Sequence, residues 1–532
     1  MPKSISAPDL KAQINDGEEL ALLDVREQGS FGRRHLFFSS CLPLSHLELR
    51  IRDLVPRHGA RIVLSDAGEG LAGRAAEKLE RFGYSDVAVL ENGVQGWSDA
   101  GYELFSGVSV PSKAFGEFVE HVDETPNITS EQLRAKRAGG EDVIVLDSRP
   151  LDEYLSRTIP GAINVPGAEL VYRVRAIVPD PTTQIVVNCA GRTRSIIGAQ
   201  SLINAGVPNP VRALRNGTMG WHLAGLELER GATRLAPEPN AAELKRALTT
   251  AADVAERFSV TCIGVDTLEQ WCREADSRSL YLLDVRHPEE YAGGHLRGSR
   301  HAPGGQLVQN TDSYIATRGA RVVLIDDTAM RATMTASWLL QMGWRDTAVL
   351  RNGLESDDLD TGGHSPEIPG LDGIEAAQIS PYALKRALDA GDTAVVDLSP
   401  SRTYKTGHIP GAWYSTRAKL TDNLPKVPEA SLLVLVSEDE NLAALAAPEA
   451  EAATDTPIKV LTGGTPAWRD LGYPLAVGFE NMTEEPDDHY PRAYDRDTDV
   501  EQAMQDYLTW EIGLVEQVER DGDARFDIVR PH

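Results

Sequence analysis

The sequence predicts an α/β protein built from tandem copies of one unit, each a parallel sheet flanked by helices. Three observations predict it. Short apolar runs ending in Asp recur, as LALLD, VIVLD, LYLLD and AVVD. Runs of this kind read as parallel strands buried on both faces. Helical segments alternate with them, the pattern of a sheet covered by helices. The pattern returns four times, at spacings of 123, 137 and 113 residues between Asp24, Asp147, Asp284 and Asp397. Units of roughly 100–130 residues are domain-sized and too large for solenoid repeats.

Each unit runs through its elements in one order. A helix precedes the Asp-ending strand. A turn follows it: GRRHL, SRTIPGA, GGHLRGS and TGHIPGA. A second apolar strand then enters a short loop that opens a helix. A last strand and turn close the unit: VLENGVQGW, ALRNGTMGW, VLRNGLES and VLTGGTPAW. The expected domains are residues 1–106, 127–228, 258–360 and 375–478. Residues 106–127 read as a linker, with Pro111 and Pro126 around a short helical stretch, and 229–257 as APEPN followed by a helix. Residues 361–374 read as an irregular connector. Residues 479–532 form an acidic tail, with fifteen acids and five arginines between 481 and 532. Its first part, EEPDDHYPRAYDRD, reads as extended or poorly ordered. A helix is expected after Asp499 as cap, with an apolar stripe through Val500, Met504, Tyr507, Leu508, Ile512, Val515 and Val518. That stripe reads as a docking face on its own chain.

Only the second unit carries a cysteine at the mouth of its second strand: Val186-Val187-Asn188-Cys189-Ala190-Gly191-Arg192-Thr193-Arg194-Ser195. The matching positions hold Asp66, Asp326 and Ser437. One nucleophile in four related loops points to one active site.

The shared grammar resembles the rhodanese domain, in four tandem copies over about residues 1–478. The resemblance rests on the Asp-x-Arg strand end, the Gly-His-Ile-Pro-Gly-Ala turn, the Cys loop and the Asn-Gly-x-x-Gly-Trp closure, all in order. The copies also depart from it. The second has Thr158 where the turn usually has His, the third has Glu355 and Ser356 in place of the closing Trp, and the fourth has Ser399 where Arg is usual. The resemblance implies a sulfurtransferase of the thiosulfate type. Sulfur would move from thiosulfate or a similar donor to a thiol or cyanide through a persulfide on Cys189, with no metal or organic cofactor. The alternative is a persulfide relay or scaffold that delivers sulfur to a protein acceptor, with the cysteine-less units as binding modules.

The chemistry of the loop supports a nucleophilic thiol. A thiol attacks as thiolate, and helix N-termini or cations favour that form. The loop from Ala190 to Ser195 can turn backbone N–H groups inward as an anion nest, with the positive end of a helix beside it. Gly191 permits backbone angles that a Cβ resists. Arg192 and Arg194 add cations. Ala190, Gly191, Arg192, Thr193, Arg194 and Ser195 are therefore the candidate substrate-binding residues around the catalytic Cys189. Asp147 and Arg149 are candidate supports that brace the loops. Arg194 stands five positions after Cys189, one fewer than in the Cys-x5-Arg loop of related phosphatases, so the loop is too tight for phosphate. Asp66 and Asp326 can fill an amide nest as carboxylates but cannot carry sulfane sulfur, so the first, third and fourth units should be silent.

Cys41, Cys262 and Cys272 lack this setting and read as buried thiols. His35, His295 and His408 recur in units without a catalytic cysteine and read as structural. No Cys/His group has zinc spacing. The net charge of −27 opposes nucleic-acid or anionic-membrane partners. Few cysteines, no apolar leader and no membrane-length apolar run predict a cytoplasmic protein.

Overall fold

A computed structural model describes residues 2–355, 358–496 and 498–529, so Ser356 of the third closing turn lies outside the described residues. The described residues form four sheets. In the second unit the strands lie in the order Asn127–Ile128, Val211–Leu214, Gln184–Asn188, Val143–Asp147 and Ile163–Asn164, all parallel. The third and fourth sheets repeat this order. The central strands are apolar on both faces because helices cover both sides: Ile185, Val186 and Val187 are all fully buried.

The recurring motifs are structural braces. Asp147 takes two side-chain hydrogen bonds from Arg149, at 2.8 and 2.7 Å, and one from its backbone N–H at 3.2 Å, and Arg149 also donates to the Arg157 carbonyl at 2.5 Å. The same clasp joins Asp24 to Arg26 and Asp284 to Arg286. It ties the end of each strand to the following turn. In the fourth unit Ser399 replaces the arginine, and burial pushes Asp397 up to about 6. The turn histidines stack on rings: His35 on Phe31, His295 on Tyr291 and His408 on Tyr404. Thr158 does different work, donating to Asp147 at 2.6 Å. Each closing Trp donates its indole N–H to a carbonyl six residues on, as Trp97 to Glu103, Trp221 to Glu227 and Trp468 to Pro474, at 2.9 Å each.

The units are not beads on a string. The second and third share one apolar core with the connecting helix Ala241–Arg257. Trp338 donates to the Ser201 hydroxyl at 2.8 Å inside it. Gly305 permits close approach there, since a Cβ on it would lie 2.9 Å from the Gly167 nitrogen. Thr317–Arg318 of the third unit pairs antiparallel with Leu20 and Ala21, extending the first sheet. The first and fourth units meet at a buried charge cluster. Arg417 binds Glu48 at 2.7 Å and Glu449 at 2.9 Å, and Lys78 bridges the same two carboxylates.

The segments expected as linker and loose tail are built into this body. Residues 110–123 form a buried helix, Val110–Asp123, rather than a linker, because Val110, Ala114, Phe115 and Val119 find apolar partners. Residues 481–496 are extended but packed. The Gly29 amide donates to the Asp487 carbonyl at 2.6 Å, and the Ser401 amide to Asp488 at 2.6 Å, so this strap joins the first and fourth units. The tail helix is Val500–Asp521, and Asp499 makes no side-chain cap to it. Its buried face runs through Met504, Leu508, Glu511, Leu514 and Val518, while Ile512 is exposed. The partner is the helix Val110–Asp123, which turns the buried face away from Ile512. No helix of the described residues is long and apolar enough to cross a membrane.

The Glu48–Arg417 contact yields a stability prediction. Arg417 and Lys78 hold Glu48 down to about 2. Its contribution is complete above the ordinary carboxylate range and is lost as pH falls through about 2. Arg417→Met leaves Glu48 buried against Lys78 alone. Urea denaturation at pH 7 should show a loss of about 3–5 kcal/mol.

Candidate active site

The strand Gln184–Asn188 delivers Cys189 to the sheet's C-terminal edge, and the helix Thr193–Asn204 starts four residues later. The loop between them is held from below. The closing turn donates Thr218 N–H to the Cys189 carbonyl at 2.8 Å and Met219 N–H to the Ala190 carbonyl at 3.0 Å. Gly217 sits at φ +53°, and a Cβ there would collide with the Cys189 carbonyl oxygen. The Ser148 hydroxyl holds the Asn188 carbonyl at 2.9 Å. Cys189 is 2% exposed, and its thiol lies 3.5 Å from the Ser195 hydroxyl, which donates onward to the Arg192 carbonyl.

The sister loops display what this architecture binds. Asp66 accepts from the backbone N–H groups of Gly68 and Ala72, each at 3.0 Å. Asp326 accepts from the amides of Arg331 at 2.8 Å and Ala332 at 3.3 Å, and from the Arg331 side chain at 2.9 Å. Ala72 and Ala332 stand six residues after their aspartates, as Ser195 stands six after Cys189. The Ser195 amide faces the sulfur in the same register. In the fourth unit the Asp439 amide reaches Ser437 at 3.3 Å. The loop is thus a backbone anion site, occupied by a carboxylate in two units and by a thiol in one.

The two loop arginines separate. Arg194 forms a two-pronged pair with Glu153, 2.8 Å on each arm, and reaches Gln306 of the third unit at 3.4 Å. It lines a cleft beside the loop and favours the thiolate. Arg192 points away, into the helix Val110–Asp123, where Glu117 holds its Nε and one Nη at 2.7 Å each and Glu120 adds a further bond. Arg192 therefore fastens the loop to that helix instead of facing the cleft. Burial pushes the Cys189 thiol up, against the lowering that cations alone would give, while Arg194 and Ser195 pull it back. Asp147 and Arg149 lie buried beneath the loop, engaged with each other.

Sequence reasoning missed the groups that roof the site. The tail helix places Tyr507, Leu508 and Glu511 over Gly191. A Cβ at Gly191 would lie 3.1 Å from both Glu511 Oε2 and Tyr507 Cε1. Thr193 donates to Glu511 Oε1 at 3.1 Å, and Tyr507 donates to the same oxygen at 3.0 Å. A glutamate on the apolar stripe, four residues after Tyr507, was the available signal. Beside the loop lies a cavity of about 550 Å³ lined by Ala190 and Arg194 together with Lys113, Arg157, Tyr507 and Arg492. Among the described residues no carboxylate pairs with Lys113, Arg157 or Arg492; Lys113 rests on the Tyr507 and Trp510 rings, and Arg157 stacks on Tyr494 at 3.9 Å. In a chain of net charge −27 this is a local cationic funnel.

The remaining cysteines lie elsewhere. Cys41 ends a short strand, and burial pushes its thiol well up. Cys262 is half-buried in the strand Thr261–Ile263. Cys272 is exposed rather than buried, because its helix turns Leu268 to the core. No group of three or more His, Cys, Asp or Glu among the described residues is placed to hold a metal.

The rhodanese-like domain family model matches residues 6–100, 129–224, 265–357 and 380–471. The chain belongs to the rhodanese family, with four such domains. A crystal structure of a thiosulfate sulfurtransferase from Pseudomonas aeruginosa is 47% identical, covers 99% of this chain and 100% of its own, and superposes with a TM-score of 0.96. An HTH-type transcriptional regulator, Rv0324 of Mycobacterium tuberculosis, is 37% identical over 105 residues, 20% of this chain; the chain spans 45% of that regulator.

Arg194 is the largest charge favouring the thiolate. Arg194→Ala should raise the Cys189 pKa and slow its alkylation by iodoacetamide at pH 8 roughly tenfold. The pH profile of alkylation checks this.

Proposed function

We propose that the protein is a sulfurtransferase, moving sulfane sulfur from thiosulfate or a similar anionic donor to a thiol or cyanide through Cys189. One observation carries the reading. The cysteine occupies an amide-lined anion site that sister loops fill with aspartate. A full-length relative described as a thiosulfate sulfurtransferase supports it.

The chemistry follows in two displacements. The Cys189 thiolate attacks the outer sulfur of thiosulfate. The sulfur–sulfur bond of the donor breaks, and its electron pair leaves on sulfite. Cys189 now carries a persulfide anion in the loop. The acceptor then attacks the outer sulfur, and the electron pair of the breaking bond returns to the Cys189 thiolate. Cyanide leaves as thiocyanate and a thiol as its persulfide. Ala190 to Ser195 cradle the developing anions with backbone N–H groups and the helix end. Arg194 supplies the facing charge, and Arg192, Asp147 and Arg149 keep the loop rigid. Lys113, Arg157 and Arg492 draw the donor inward. The enclosed thiol favours a small acceptor over a docked protein, and four free cysteines suit a reducing compartment such as the cytoplasm.

Exposure to thiosulfate should add about 32 Da, one sulfur, at Cys189 alone, read by peptide mass spectrometry. Cys189→Ser should abolish thiocyanate production while leaving the circular dichroism spectrum unchanged. Full activity in that variant would refute the assignment. Persulfide formation without turnover on cyanide would favour the relay.

A further inference from the structure

The tail helix brings a carboxyl group to the Cys loop that the two displacements leave unused. Glu511 is 1% exposed. Its Oε1 accepts from Thr193 and Tyr507. Its Oε2 is buried without a hydrogen-bond partner among the described residues, and it is aimed at Gly191, two residues past the thiol. An orphaned buried carboxylate oxygen is costly and calls for a function.

The charges around it narrow that function. From the Cys loop, Cys189 and Arg194 face the site, and Arg192, turned toward the helix Val110–Asp123, acts on Glu511 only through its charge. From the helix Val110–Asp123 come Lys113 and Glu117, and from its own helix Tyr507. Arg192 is neutralised by Glu117 and Glu120, and Arg194 by Glu153. Lys113 is the one remaining cation of this set without a paired carboxylate among the described residues. An ionised Glu511 and a Cys189 thiolate repel each other across the loop even with Arg157 and Arg492 lining the cavity, which favours one proton shared between the two groups.

Resting on the sulfur-transfer reading above, we infer that Glu511 is the residue that holds this proton, taking it from the Cys189 thiol as the donor binds and returning it after the acceptor leaves. In the first half, the S–H bond of Cys189 breaks and its proton passes to Oε2 of Glu511 through one water, since that oxygen makes no direct hydrogen bond to the thiol. The freed electron pair forms the bond to the outer sulfur, and sulfite departs with the pair from the broken sulfur–sulfur bond. In the second half, the acceptor takes the outer sulfur, and Cys189 regains an electron pair as thiolate. Glu511 then gives its proton back, so the enzyme ends as it began. No oxidant or metal is needed. Burial holds the Glu511 carboxyl at about 7, so both of its forms are populated near neutrality. The Tyr507 hydrogen bond opposes part of that rise.

The test is single-turnover persulfide formation by the full chain with thiosulfate, quenched by alkylation and read by mass spectrometry between pH 5.5 and 9. The wild-type rate should climb through neutrality as Glu511 ionises. Glu511→Gln keeps the shape and the Thr193 contact but cannot take a proton. It should be roughly 10²-fold slower at pH 7.5 and should lose that climb. Tyr507→Phe removes the bond that stabilises the ionised carboxylate, so its climb should move to higher pH while remaining present. An active wild type with an unchanged profile in Glu511→Gln would overturn the inference and leave sulfur transfer standing. If Glu511→Gln fails to fold by circular dichroism, an unshifted Tyr507→Phe profile overturns it instead. A wild type that forms no persulfide would overturn the sulfur-transfer reading, and this one with it.

Discussion

Backbone N–H groups converge on one spot at the mouth of each central strand, and something polar or negative has to sit there. Strand end, tight loop and helix start together create a positive pocket that the fold cannot avoid. Aspartate satisfies it in the first and third units by direct amide hydrogen bonds. Serine does so in the fourth. A thiol does so in the second, facing the Ser195 amide. The array can therefore carry copies without a cysteine at this position and still satisfy the pocket. A carboxylate is a complete solution to the electrostatic demand and an inert one to the chemical demand.

The local grammar of the fold was legible because it depends on neighbours in sequence. Alternating apolar strands and helices, the Asp–Arg clasp and the Asn-Gly closure each report contacts within one unit. The position of Cys189 was legible for the same reason. The two arginines were not separable from sequence, because their partners lie far away or on other faces. Arg192 meets Glu117, 75 residues upstream, and Arg194 meets Glu153, 41 residues upstream. The roof was least legible. Glu511 reads as one more acid in an acidic tail, and only the packing partner of the helix decides which stripe is buried. The expected stripe included Ile512, but docking on Val110–Asp123 rotates Glu511 inward and Ile512 out.

The connecting segments carry as much of the architecture as the domains do. The helix Val110–Asp123 packs against the Cys-loop helix and the tail helix alike. Thr317–Arg318 caps an edge of the first sheet, covering backbone groups that would otherwise invite pairing with another chain. The strap crosses from the first unit to the fourth before Tyr494 meets Thr218 at 2.9 Å in the second. The other units thus supply walls, and the tail helix the roof, around the Cys189 loop of the second unit.

The roof has a consequence for the timing of synthesis. Thr193 and Glu511 touch across 318 residues of chain. On the ribosome the second unit emerges, and its sheet and loop can form, long before the last helix exists. Until that helix arrives, Tyr507, Leu508 and Glu511 are missing from above Gly191. On the proposal that Glu511 takes the thiol proton, the loop gains its base only once the tail helix has docked. A fragment released before that helix is made would carry Cys189 without its enclosure.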